Sequence, residues 1–185
     1  SGDDGHDRLV TGANLNWAVW ETHPLNCGRW SPQITGFATN GVHCVAVSAD
    51  EELVAAAVDD NVQIWALKNT AYGKLGVCDG CADNPAGGHA AKVLSLCFDP
   101  LTNMAGMYTL ASGGSDRQVI LWQIPPLPLR APPDALRLRQ RPQNVLAMFA
   151  GHTSDVKALS CDDAFMCSAG GNLVCVWKEW RVRNA

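Results

Sequence analysis

Four stretches of the chain repeat one alternation of apolar and polar positions. Residues 8–20, 52–65, 108–122 and 164–177 each run as a short apolar segment, a cluster of Gly, Asn, Asp or Ser, and a second apolar segment closing on tryptophan. A period of two sends successive side chains to opposite faces of a strand, and a turn cluster between two such runs predicts a β-hairpin. The closing residues are Trp20, Trp65, Trp122 and Trp177. Further alternating runs at 42–48, 93–99 and 156–161 precede the last three hairpins and predict one more strand for each. The expectation is an all-β chain of half-buried strands.

A segment that recurs changes the meaning of every residue inside it, because each copy is a supersecondary unit that buries its face only against its neighbours. Gly88-His89 precedes the third hairpin, Gly151-His152 the fourth, and Gly41-Val42-His43 is a variant ahead of the second. Residues 88–122, with Gly88-His89, Leu110-Ala-Ser-Gly-Gly-Ser-Asp116 and Val119-Ile-Leu-Trp122, resemble a near-complete WD40 repeat. The resemblance covers most of the chain outside two insertions. It implies a WD40-type β-propeller fragment of about three and a half four-stranded blades, either a half-ring or part of a larger ring.

On that resemblance, residues 1–36 form a partial first blade with strands b, c and room for d, and 37–87 a second blade with a cysteine-containing insertion. Residues 88–150 form a third blade with a proline- and arginine-rich insertion at 125–143, and 151–185 the last, incomplete blade. Sheet edges open at both ends would invite pairing with further chain or with a partner. The family's Trp-Asp dipeptide is absent: Trp20-Glu21, Trp65-Ala66, Trp122-Gln123 and Trp177-Lys178 stand in its place.

His89, Ser112 and Asp116 supply the ingredients of a Ser-His-Asp hydrolase. No Gly-x-Ser-x-Gly elbow exposes the serine, however. With Trp122 the spacing resembles the structural tetrad of WD40 blades, a buried hydrogen-bonded chain of indole, hydroxyl, imidazole and carboxylate that rigidifies the blade. The fourth segment keeps His152, Ser168 and Trp177 but has Gly171-Asn172 where the carboxylate belongs. The second keeps Asp59 and Trp65 with alanine near the hydroxyl position, so only the third blade is expected to be fully networked.

Composition adds limits. An apolar share of 47 % with a net charge of −4 fits an ordinary globular chain, and no apolar run approaches the roughly 20 residues a bilayer requires. Cys44, Cys97, Cys167 and Cys175 sit inside apolar alternating runs, which predicts free thiols in a reducing, intracellular compartment, cytoplasmic or nuclear. Cys78-Asp-Gly-Cys81 has chelating spacing but lacks the second close pair that a structural zinc site needs, so it is only a weak metal candidate. No phosphate loop or carboxylate pair suggests an enzyme, and no cofactor is expected.

The second insertion is chemically distinct. Residues 125–150 hold four arginines against Asp134, whereas residues 1–60 hold nine acids against two bases. Pro125-x-x-Pro128-x-Arg130 resembles an SH3 ligand, and Arg137, Arg139 and Arg141 alternate in a way that lays basic groups along one side of an extended segment. These six residues are the candidate partner-binding positions. The expected function is a non-enzymatic protein-interaction scaffold, a subunit of a multiprotein complex. The alternative is a structural subunit of an RNA-containing or translation- or tRNA-modification-linked assembly that uses the arginines against phosphate.

Overall fold

The computed structural model describes residues 8–22, 29–38, 40–66, 74–78, 88–101, 106–124, 145–178 and 180–181. They form fourteen strands in four antiparallel sheets. The first sheet is β1 (Arg8–Ala13), β2 (Asn16–Thr22) and β3 (Trp30–Phe37), in that order. The second runs β4 (Val42–Val47), β5 (Leu53–Val58), β6 (Asn61–Ala66) and β7 (Lys74–Cys78). The third runs β8 (Val93–Phe98), β9 (Tyr108–Gly114), β10 (Gln118–Ile124) and β11 (Val145–Ala150). The fourth is β12 (Ala158–Cys161), β13 (Phe165–Gly170) and β14 (Leu173–Lys178). Every strand thus pairs with its neighbour in sequence, the meander that hairpin turns dictate.

Turn chemistry sets the register. The hairpins β1–β2, β5–β6 and β13–β14 close over two residues, and the first is Asn14, Asp59 or Gly171, with φ of 51°, 53° and 61°. Asn, Asp and Gly enter the left-handed region at least cost. The β9–β10 turn is longer, pairing Gly113 with Val119, and so carries Asp116 out beyond the strand ends.

Three apolar seams join the four sheets. Trp17 and Val19 meet Val54, Ala56, Val58 and Trp65 between the first and second sheets. The other face of β5, Leu53, Ala55 and Ala57, meets Leu96, Phe98, Leu110 and Trp122 of the third. Ala111, Val119 and Leu121 of the third meet Val156, Met166 and Trp180 on the side of the fourth. Strand β5 is therefore buried at all six positions, not half-buried as its alternation predicted. A strand enclosed between two other sheets reads as a continuous apolar run, which Leu53-Val-Ala-Ala-Ala-Val58 is.

A repeated backbone latch fastens each sheet to the one before. The amides of Val42, Val93 and Val156 donate to the turn carbonyls of Asn14 (2.5 Å), Asp59 (2.6 Å) and Gly114 (3.1 Å). Close approach at the last latch needs a bare backbone, since a Cβ on Gly113 would lie 2.5 Å from Val156 Cγ1.

Two details depart from expectation. Part of the segment between Trp65 and Gly88, read as insertion, is the outer strand β7. Residues 180–181, which fall where an outer strand was expected for the last sheet, act as an anchor. Trp180 is buried in the third seam, and Arg181 donates to both carboxylate oxygens of Asp99, at 2.6 Å each.

Candidate functional site

Residues from both ends of the third sheet converge on Ser112. His89 lies four residues ahead of β8, Ser112 in β9, Asp116 on the β9–β10 turn and Trp122 in β10. The indole N–H of Trp122 donates to Ser112 Oγ at 2.7 Å, and Ser112 Oγ lies 2.7 Å from His89 Nε2. His89 Nδ1 is 3.0 and 2.9 Å from the two oxygens of Asp116. An indole can only donate and a carboxylate can only accept, so the protons of a neutral imidazole run one way. Trp122 donates to Ser112, Ser112 to His89, and His89 to Asp116.

Asp116 also accepts from the amides of Ala90 (2.9 Å) and Gln118 (3.2 Å). Burial by itself raises its pKa, but the hydrogen bond from His89, with those from the two amides, outweighs that and holds the carboxyl below its ordinary value of 3.8. A depressed folded-state pKa stabilises the fold above the unfolded value, and the contribution disappears as pH falls through the folded value. Melting the wild type and Asp116→Asn side by side should show the wild-type advantage present at pH 6 and shrinking progressively below about pH 4. A difference unchanged down to pH 2 would contradict this.

The tetrad degrades in steps from sheet to sheet. All four tryptophans share one register, Leu9 opposite Trp20, Val54 opposite Trp65, Leu110 opposite Trp122 and Met166 opposite Trp177. In the fourth sheet Trp177 donates to Ser168 Oγ at 2.8 Å, and Ser168 lies 2.6 Å from His152 Nε2. His152 Nδ1 is buried with no partner among the described residues, and the two-residue turn carries no carboxylate. Among the described residues of the first sheet, Trp20 donates to Thr11 Oγ1 at 2.9 Å. Sequence reasoning missed this pair, although its signal is present: a hydroxyl nine residues before a closing tryptophan, as with Ser168 and Trp177. In the second sheet that position is Ala56.

His43, taken from the sequence as part of a Gly-His variant, lies inside β4 instead, 3.9 Å from Asp59. Counting four residues back from the latch valines places Ala38 where the other sheets have His89 and His152. Since His152 already leaves its Nδ1 without a described partner, His89→Ala should cost about 1–3 kcal/mol and His152→Ala less. Thermal melts that rank the two variants in the opposite order would refute the difference in their networks.

Pro125, Pro128, Arg130, Arg137, Arg139, Arg141 and Cys81 lie outside the described residues. Cys78 ends β7. Among the described residues, no three His, Cys, Asp or Glu side chains are grouped to hold a metal ion, and no helix is long and apolar enough to cross a membrane.

Four meandering antiparallel sheets, stacked face to face with their first strands adjacent and one tryptophan register repeated in each, define a partial β-propeller. The chain belongs to the WD40 repeat family: the model described as "WD domain, G-beta repeat" matches residues 28–66, 86–123 and 143–178, more than half its length. Two solved structures share the fold. One titled "Structure of U3-55K" and one titled "Crystal structure of RRP9 WD40 repeats" each superpose with a TM-score of 0.63 at 20 % identity over 92 % of this chain. The chain spans 45 % and 44 % of their lengths. A comparison with curated proteins gave no match.

Proposed function

We propose that the chain serves as a non-enzymatic scaffold, a subunit of a multiprotein complex, in the cytoplasm or nucleus. One observation carries this reading: the Ser-His-Asp constellation is committed to holding the blade together. Ser112 is 0 % exposed, and its oxygen is already engaged by Trp122 on one side and His89 on the other. A nucleophile needs access and a free approach for substrate, and this serine has neither. The tetrad rigidifies; recognition falls to the surface around it.

Apolar side chains exposed on the two end sheets support an interaction role. Leu9, Trp30 and Phe37 (76 % exposed) stand on the first sheet, and Phe165, Val174 (66 % exposed) and Val176 on the fourth. A hollow of about 380 Å³ opens among Phe165, Cys167, Val176 and Lys178. Exposed apolar side chains of this kind are what further packed chain or a partner would cover.

The test is capture of the full-length protein at native level with cross-linking, with and without nuclease, and after deletion of residues 125–143. A nuclease-resistant set of proteins cross-linked to the chain is expected, and its loss on deletion would assign the contact to Pro125, Pro128 and the arginines. Release of the whole set by nuclease would overturn the reading in favour of an RNA-containing assembly. Turnover of any substrate abolished by Ser112→Ala in a folded variant would overturn it in favour of an enzyme.

A further inference from the structure

Two cysteines far apart in sequence meet where the third and fourth sheets join. Cys97, in β8, and Cys161, the last residue of β12, have their sulfurs 2.8 Å apart. Both side chains are half-buried, and Cys161 also lines the hollow on the outer flank of the fourth sheet, so a small reagent can approach the pair. A disulfide bond length is about 2.05 Å, so the sulfurs need to close by less than about 1 Å. Cys44, Cys167 and Cys175 stand as free thiols too, but no such approach joins them to one another.

We propose that Cys97 and Cys161 are a reversible dithiol–disulfide pair that ties the third and fourth sheets together under oxidation by a low-molecular-weight disulfide. Both thiols lie close to the carbonyl oxygen of Phe98, Cys161 at 3.0 Å and Cys97 at 3.5 Å. The thiolate of either cysteine is the nucleophile. It attacks one sulfur of the oxidant RSSR, the oxidant's S–S bond breaks, and one RS⁻ leaves. The other cysteine gives its proton to that RS⁻ and then attacks the protein sulfur of the mixed disulfide. The second RS⁻ leaves and takes a proton from solvent. The protein loses two electrons and two protons, and RSSR becomes two RSH.

The experiment equilibrates the full chain in glutathione buffers of stepped reduced-to-oxidised ratio, quenches it with an alkylating reagent and maps the digested peptides by mass. The expected result is a Cys97–Cys161 cross-linked peptide, two hydrogens lighter than the sum of its parts, that returns to two alkylated cysteines on reduction. Cys44, Cys167 and Cys175 should stay alkylated throughout. The oxidised form should melt higher than the reduced one, since the cross-link spans two sheets. In Cys161→Ser and in Cys97→Ser the cross-linked peptide should vanish, leaving the remaining cysteine alkylated or as a mixed disulfide with glutathione. Alkylation of both cysteines at the most oxidising ratio would overturn the proposal. So would a cross-link joining Cys161 to Cys167 instead. Both readings come from the wild-type chain and do not depend on either variant folding.

Discussion

Trp122→Ala is expected to lower the unfolding free energy by about 3–5 kcal/mol, as a large aromatic is removed from a packed interior. Trp122 is buried in the seam between the second and third sheets and is also the donor at the head of the tetrad. Trp122→Phe separates the two contributions. It keeps an aromatic ring in the seam while removing the N–H and part of the indole volume, and should cost about 1–3 kcal/mol, the scale of leaving the buried Ser112 oxygen short of a donor. Denaturant titration of the three proteins measures both terms. Equal losses in the two variants would mean that the hydrogen bond, not packing, dominates, and a loss under about 1 kcal/mol for alanine would remove Trp122 from any central role.

Arg181→Ala should be nearly as damaging, about 3–5 kcal/mol, although the residue stands close to the end of the chain. The reason is what it leaves behind. The Asp99 carboxylate is 3 % exposed, and without the guanidinium it keeps only the amide of Leu101 as a described partner, at 3.0 Å. Arg181 also donates to the backbone carbonyls of Asp162 and Asp163, so it draws the β12–β13 turn toward the third sheet. Adding Asp99→Asn to Arg181→Ala should recover part of the loss by removing the stranded charge. If the double variant is no more stable than Arg181→Ala, the cost lies in the lost carbonyl contacts instead.

The central strands and the third-sheet network were legible because their signals are local. Alternation, turn residues and the closing tryptophans placed the four hairpins, and the resemblance of residues 88–122 to a WD40 repeat pointed to His89, Ser112, Asp116 and Trp122 as a set. Outer strands were less visible. Strand β3 contains Pro32 at a register shift against Trp20, and such breaks are tolerated at an edge but blur the alternation that would reveal it. His43 misled because the Gly-His signal is a position relative to the latch valine, not a composition, and only the register exposes Ala38 as its counterpart. The Cys97–Cys161 and Asp99–Arg181 contacts join residues 64 and 82 positions apart, a separation over which a single sequence carries no pairing signal.

The latch from each valine amide to the turn before it has a consequence for how the molecule comes apart. Among the described residues each sheet is fastened to the sheet before it, so cohesion behaves as a row of nearest-neighbour couplings, and β5 and β9 are each enclosed between two other sheets. The amide protons of β5 and β9 should therefore be the last among the described strands to exchange with solvent, a protection set by enclosure on both faces and not by strand length.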